Sequence, residues 1–272
     1  MDDSPRAAAF FDLDKTIIAT SSATAFSRPF LAEGLLTRRA ILRAAYAQLL
    51  FVMGGADEAQ TERLRAQLSH MVTGWDTAQV EAIIRQTLHE SIDPTVYAEA
   101  VTLIGQHHAA GRDVVVVSAS GAELVRPIAE LVGADDVIAS RMQVADGRYT
   151  GRIDRYVYGQ EKADAIAEMA AARGYDLAAC YAYSDSITDT PMLEVVGHGF
   201  VVNPNGALRR LADERGWGVL RFERPVSLRP FATRRSRVAA TGVVGLVVLA
   251  GLLGWLLGRA RGRRAAGGRL AG

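Results

Sequence analysis

Asp12 and Asp14 stand one residue apart in the run Asp12-Leu13-Asp14-Lys15-Thr16, directly after the apolar stretch Ala7-Ala8-Ala9-Phe10-Phe11. Two carboxylates at the point where a buried strand breaks into a loop outline a site for phosphoryl transfer. A strand of apolar residues alone is buried on both faces of a sheet, and open α/β sheets carry their chemistry just beyond the carboxyl ends of such strands. Taken alone the pattern also suits an ordinary loop, since Asp and Thr are common turn formers. Three companions decide between the readings.

The run Asp113-Val-Val-Val-Val-Ser118-Ala119-Ser120-Gly121 is a second apolar strand that ends in hydroxyls and a glycine. A hydroxyl and main-chain N–H groups there could hold a phosphate, although a serine could equally cap the following helix. Lys162 opens a helical stretch in Gly159-Gln-Glu-Lys162-Ala-Asp-Ala-Ile166, a position where a lysine is usually just solvated. The chain, however, has 29 arginines and only two lysines, Lys15 and Lys162, so it uses Arg wherever any cation serves. A compact ammonium on a flexible stem is not interchangeable with a planar guanidinium where one point charge must sit among carboxylates and a phosphate. Finally, Ala178 to Leu193 reads as a strand running into Ser184, Asp185 and Asp189, with Pro191 in the first turn of the next helix. Four strand ends would then supply Asp12 and Asp14, Ser118, Lys162, and Asp185 with Asp189.

These four motifs, in this order, resemble the haloacid dehalogenase (HAD) superfamily, and within it the phosphoserine-phosphatase-like subfamily with a helical cap between the first two motifs. The wording around Asp12 and Asp185 is also similar to a group of actinobacterial hydrolases named for inhibition of morphological differentiation, a name that states no reaction. The resemblance covers about residues 7 to 222. It implies a Rossmann-like α/β core with a parallel sheet, and it implies roles. Asp12 would attack phosphorus, and Asp14 would protonate the leaving alcohol and later deprotonate the attacking water. Mg²⁺ would be held by Asp12, the Asp14 main-chain carbonyl and Asp185, with Asp189 holding a water or Lys162. Thr16, Ser118, the Ala119 N–H and Lys162 would bind the phosphoryl oxygens. Asp14 separates this chain from P-type ATPases, which carry Thr there, and from dehalogenases, which lack the second carboxylate. One departure concerns the substrate. The glutamate that binds the phosphoserine amino group in that subfamily is missing from Ala19-Thr20-Ser21-Ser22-Ala23, and no carboxylate follows until Glu33.

The catalytic core is expected over residues 1–16 and 93–222, interrupted by a helical cap over 17–92. Apolar residues recur there at helical spacing through Ile41, Leu42, Tyr46, Leu49 and Leu50 and again through Val80, Ile83, Ile84 and Leu88. Arg38, Arg39 and Arg43 could meet an anionic substrate or simply face solvent. Asp146-Gly147 within an alternating stretch predicts a β-hairpin flap over 140–157. Gly199 to Val202 and Trp217 to Phe222 read as closing strands around a helix near Ala207 to Glu214.

After a basic linker over 223–237, Val238 to Gly258 is uncharged and long enough to cross ~30 Å of hydrocarbon as a transmembrane helix. A basic tail follows over 259–272. Arginines flank the span on both sides, so charge says little of its orientation. With no apolar segment before Asp12 beyond the five-residue run Ala7 to Phe11, no cleavable signal is expected, and a cytoplasmic catalytic domain on a single-pass C-terminal anchor in the cell membrane is the simplest topology. Ala250, Gly254 and Gly258 share one face and could pack two helices as a homodimer.

A chain of 272 residues that is 49% apolar can bury one core and a cap, and a formal charge of +1 argues against a nucleic-acid partner. Cys180 is the single cysteine, expected as a buried thiol, and the histidines show no metal spacing. The sequence thus reads as a membrane-anchored, Mg²⁺-dependent phosphomonoester phosphatase acting on a small metabolite or a lipid-linked phosphate. The alternative is a regulatory or scaffolding protein that keeps the fold without turnover.

Overall fold

The computed structural model describes residues 6–37 and 71–225. Residues Met1–Leu228 form one compact unit. In chain order the described elements are β1 (Ala8–Asp12), α1 (Ser22–Ala32), α2 (Thr77–Ser91), α3 (Ala98–Ala109), β2 (Asp113–Gly121), α4 (Ala122–Val132), β3 (Asp136–Ala145), β4 (Arg148–Arg155), α5 (Gln160–Arg173), β5 (Tyr181–Ser184), α6 (Thr190–Glu194), β6 (His198–Val202), α7 (Gly206–Arg215) and β7 (Gly218–Leu220). The strands form one sheet in the order β4-β3-β2-β1-β5-β6-β7. Every neighbouring pair is parallel except β3 with β4.

β1 lies at the centre, and all five of its residues are buried. Successive strand side chains point to opposite faces, and here both faces are covered. Ala9 and Phe11 enter one apolar cluster with Val114, Val116, Ile104 of α3 and Ile128 of α4. Ala8 and Phe10 enter the other with Val115, Val117, Ile166 of α5 and Leu193 of α6. This two-sided burial is why β1 and β2 read as unbroken apolar runs.

The first cluster continues without a break into Phe26 and Phe30 of α1 and Val80, Ile83 and Ile84 of α2. The described part of the insertion therefore shares the core of the sheet. Ile41 to Leu50 and Arg38, Arg39 and Arg43 lie outside the described residues. So do Val238–Gly258 and the basic segments beside it. Among the described residues no helix is long and apolar enough to cross a membrane.

Three features go beyond the sequence pattern. First, β3 is longer than a hairpin arm: its beginning pairs with β2, from Val115↔Asp136 to Gly121↔Ser140, and its end pairs with β4. The buried Ile138 and Ser140 give way to exposed residues along the strand, so the hairpin is the solvent-side extension of a core strand. Asp146 and Gly147, at φ 50 and 72, provide the doubly positive turn that suits a two-residue hairpin. Second, the hairpin is stitched to the insertion. Thr77 N–H donates to Gly147 O at 2.9 Å, Gly74 N–H to Tyr149 O at 2.8 Å and Tyr149 N–H to Trp75 O at 3.1 Å. Third, the chain stays pinned past Phe222. Glu99 accepts the Glu223 and Arg224 N–H groups, Ala98 N–H donates to Arg224 O at 2.9 Å, and Tyr97 bridges to Pro225.

Cys180 is buried just before β5, where its Sγ accepts the Ala8 N–H at 3.3 Å, and burial pushes its thiol pKa up. His107 is 2% exposed. Arg112 Nε donates to its Nδ1 at 2.8 Å, so its Nε2–H faces the Tyr183 hydroxyl, also at 2.8 Å. Burial, helped by Arg112 and His108, lowers its pKa to about 4. Unfolding returns the imidazole to its usual value of about 6.5, so the unfolded chain binds the extra proton as the pH falls. Stability linked to His107 is thus complete above pH 6.5 and declines toward pH 4, by roughly 3 kcal/mol. Urea midpoints at neutral and mildly acidic pH should show a smaller acid loss in His107→Gln than in the wild type. An equal loss would assign the acid sensitivity to other groups.

Candidate active site

The sheet brings the motif residues together through register. Asp12 ends β1 opposite Val117 of β2, which places Ser118 one step further along. On the other side Phe11 pairs with Tyr183 of β5, so Ser184 is level with Asp12. Three parallel strands therefore release their chains at one edge, around Asp12, Ser118 and Asp185. Lys162 opens a helix, as its sequence context indicates. It lies in the first turn of α5, after the antiparallel β4, and reaches the site from that helix rather than from a strand end.

Beyond Asp12 the chain turns sharply, with Lys15 at φ 62 and the N–H groups of Thr16 and Ile17 donating to Leu13 O. This turn sends the Thr16 hydroxyl back to Asp12, donating to Oδ2 at 3.2 Å, while Thr16 Oγ1 accepts the Asp185 N–H at 3.1 Å. Thr16 is fully buried and its hydroxyl is engaged on both sides. That hydroxyl thus clamps the β1 and β5 ends together.

Lys162, 3% exposed, places Nζ 2.7 Å from Asp12 Oδ1 and 2.7 Å from Asp189 Oδ2. Asp189 Oδ2 also accepts the Ser184 hydroxyl at 2.6 Å. Burial opposes the ammonium charge, but Asp12 and Asp189 outweigh it and hold the Lys162 pKa above its usual value. Burial pushes Asp12 up to about 7 even though Lys162 pulls it down, with Asp189 and Asp14 adding repulsion. Asp185 rises to about 6, mainly by burial, against the pull of Lys15. Asp14 is also raised by burial, while donors from Ser22 and Ser120 restrain the shift.

The β2 end carries the remaining motif. Between Ser118 and Gly121 the register with β3 slips, so Ala119 and Ser120 bulge out of the ladder. Ser118 is buried, and its Oγ accepts the Ser120 N–H at 3.1 Å, which leaves the Ser118 proton available to a ligand oxygen. Two residues to which the sequence pattern attaches no role complete the picture. Ser22, at the start of α1, donates its N–H to Asp14 Oδ1 at 2.8 Å, and its Oγ lies 2.8 Å from Ser120 Oγ. Ser120 was visible in the Ser-Ala-Ser-Gly run, but nothing in the sequence tied it to Ser22.

Among the described residues no three His, Cys, Asp or Glu side chains are arranged as a metal cluster. The donors that fit a metal are instead two carboxylates, Asp12 and Asp185, with the Asp14 carbonyl oxygen. All are hard oxygens, which suits a small divalent cation that keeps several waters. Four carboxylates, Asp12, Asp14, Asp185 and Asp189, face the charges of Lys162 and Lys15, so there is a deficit of positive charge that such a cation would fill.

Residues 9–194, which contain every one of these side chains, match the family described as haloacid dehalogenase-like hydrolase. The chain belongs to that family. A protein of Mycobacterium tuberculosis named probable phosphatase is 57% identical over 247 residues, covering 90% of this chain and 86% of its own length. The inhibition of morphological differentiation protein of Streptomyces azureus is 54% identical over 264 residues, covering 94% and 95%. Among solved structures, a Bordetella pertussis protein of unknown function shares 27% identity at a TM-score of 0.71, covering 80% of this chain and 99% of its own. Membership of this hydrolase family accounts for the parallel sheet and for the strand-end position of the acidic residues.

Proposed function

We propose that this protein is a Mg²⁺-dependent phosphomonoester phosphatase that works through an aspartyl phosphate and is held at a membrane by residues 238–258. The observation that carries the reading is the buried Lys162 ammonium bridging Asp12 and Asp189, with a second carboxylate, Asp14, two residues from Asp12 and fixed by Ser22.

An Asp12 carboxylate oxygen forms a bond to phosphorus as the bond from phosphorus to the alcohol oxygen breaks, and Asp14 gives that oxygen its proton. Asp14 then takes a proton from water as the water oxygen attacks phosphorus, releasing phosphate and restoring Asp12. A carboxylate nucleophile divides one hard step into two easier ones, and the raised pKa of Asp14 suits a group that must first carry a proton and then accept one. Ser118, the Ala119 N–H and Lys162 would receive the phosphoryl oxygens and their growing charge. Asp12, Asp185 and the Asp14 carbonyl would hold Mg²⁺, which supplies positive charge against the phosphoryl group and the clustered carboxylates. Asp189 stays with Lys162 and Ser184 and fixes the ammonium.

The substrate is a small metabolite phosphate or a lipid-linked phosphate. Phosphoserine is disfavoured, because Ser21 and Ser22 stand where a carboxylate for the amino group would be. The apolar span favours the lipid, since tethering raises local substrate concentration, and the simplest topology keeps the catalytic unit on the cytoplasmic side of the cell membrane. A phosphate-release screen over sugar, nucleotide, amino-acid and lipid phosphates tests the activity. Failure on every class with Mg²⁺ present would sink it. Removing residues from Arg234 onward leaves the compact unit ending at Leu228 whole. The truncated protein should keep its rate on a small soluble phosphate and lose activity selectively on bilayer-embedded substrate, because the tether supplies effective concentration and no contacts. Equal retention on both would remove the reason for preferring a lipid.

A further inference from the structure

The reading of Asp14 as acid and base leaves open how a carboxylate on a turn is aimed. Two residues before it, Asp12 is gripped by Lys162 and Thr16. Asp14 has no such cation at bonding distance among the described residues. Its anchor is the Ser22 N–H on Oδ1 at 2.8 Å, and Ser22 belongs to α1 of the insertion. The Ser22 hydroxyl, on a fully buried residue, lies 2.8 Å from the Ser120 hydroxyl, and the Ser120 N–H holds the Ser118 oxygen at 3.1 Å. One hydrogen-bonded chain thus runs from the phosphoryl-binding loop, through two hydroxyls, to the acid–base carboxylate.

The proton count in this chain has a direction. The hydroxyl pair holds two protons. One lies between the oxygens, and the other remains for an outside acceptor. An ionised carboxylate can only accept, so Asp14 is a natural end for that second proton. Both hydroxyls lie within reach of the Asp14 carboxylate. The Ser22 N–H is an obligate donor and cannot be turned around. It marks Oδ1 as the carbonyl-like oxygen of the protonated acid, which puts the transferable proton on Oδ2.

We propose that Ser22 and Ser120 are positioning residues that orient Asp14, so that its Oδ2 proton is aimed at the oxygen of the departing alcohol. The proposal rests on the phosphatase reading and deepens it: these serines touch neither phosphorus nor the nucleophile, and they act through Asp14. The Ser22 main-chain N–H survives substitution, so the part to be tested is the hydroxyl pair.

The distinguishing property is sensitivity to the leaving group. A phenolate of low basicity departs without a proton, while a more basic one needs the acid. Full-length wild type, Ser22→Ala, Ser120→Ala and the double variant would be assayed with Mg²⁺ on a series of substituted phenyl phosphates, from 4-nitrophenyl to unsubstituted phenyl. The expected loss in kcat/KM is about tenfold or more on phenyl phosphate, part of the 10² to 10⁴ that such acid–base help supplies, and less than threefold on 4-nitrophenyl phosphate. The line of log kcat/KM against leaving-group basicity therefore steepens. The double variant should be no worse than the poorer single one, because one shared contact is lost in each. Ser22→Thr, which keeps the hydroxyl, should recover the wild-type slope if it keeps the wild-type Tm. A parallel drop across the series would overturn the proposal and assign the serines to general support of the fold. Unchanged rates would overturn it as well. A wild type inactive on every member of the series would instead sink the phosphatase reading on which it stands.

Discussion

Asp12→Asn is expected to lower Mg²⁺-dependent hydrolysis of an aryl phosphate by about 10⁴-fold or more, a loss of the size that follows removal of a nucleophile from an interdependent set. The amide has the shape of the carboxylate but no anionic oxygen to attack phosphorus. Stability should not fall with activity. Lys162 sits between two carboxylates, at 2.7 Å from each, and the amide oxygen can still accept its proton while Asp189 balances its charge. The substitution also removes a buried carboxylate whose pKa has already been pushed up to about 7, so an unchanged or slightly raised Tm is the expected companion result. In the wild type, beryllium fluoride should bind on the Asp12 carboxylate as a mimic of the phosphorylated state. A folded Asp12→Asn protein with near wild-type turnover, or an adduct centred on another residue, would remove Asp12 from its role.

The chemistry of this site was legible because each of its main groups sits where a residue pattern changes character. Asp12, Ser118 and Asp185 follow short runs rich in apolar residues, the length and composition of strands covered on both faces. Lys162 stood out through scarcity, being one of two lysines in a chain that otherwise uses arginine. The structure gives the lysine at 162 a cause: a buried point charge bridges two carboxylates. Lys15, the other lysine, is exposed and contributes only a pull on Asp185, so scarcity alone did not rank the two.

What stayed hidden depended on contacts between distant residues. Ser22 and Ser120 are 98 positions apart, and a serine at a helix start looks like an ordinary cap. The Thr16 hydroxyl bonds both Asp12 and the Asp185 N–H, and the latter lies 169 positions away. The length of β3 was masked because its two halves obey different rules. Its first half is a core strand and its second is a solvent-facing hairpin arm, and only the turn at Asp146-Gly147 carries a local signal. Likewise the pinning of Glu223 to Pro225 depends on the Glu99 carboxylate and on Tyr97, more than a hundred residues earlier.

Lys162→Met should show the second large effect, in both activity and stability. The thioether fills the space of the lysine stem but leaves Asp12 and Asp189 buried against each other with no cation between them. Removing one partner of a buried ionic group typically costs about 3 to 5 kcal/mol, because the remaining charge is stranded. Lys162→Arg should fare little better, since a planar guanidinium cannot occupy a site shaped for one tetrahedral ammonium at 2.7 Å from two carboxylates. Loss of activity in a destabilised protein is ambiguous, and a second substitution resolves it. In Lys162→Met with Asp189→Asn, one of the two stranded carboxylates becomes neutral and Asp12 can relieve the rest by taking up a proton. Part of the lost Tm should therefore return. Phosphate release should not, because the ammonium that would meet the phosphoryl oxygens is still missing and a protonated Asp12 is no nucleophile. Thermal melts and turnover measured together on the three proteins separate the two roles. If activity recovered along with Tm in the double variant, Lys162 would be a structural counter-ion for Asp12 and Asp189 and would have no part in holding the phosphate.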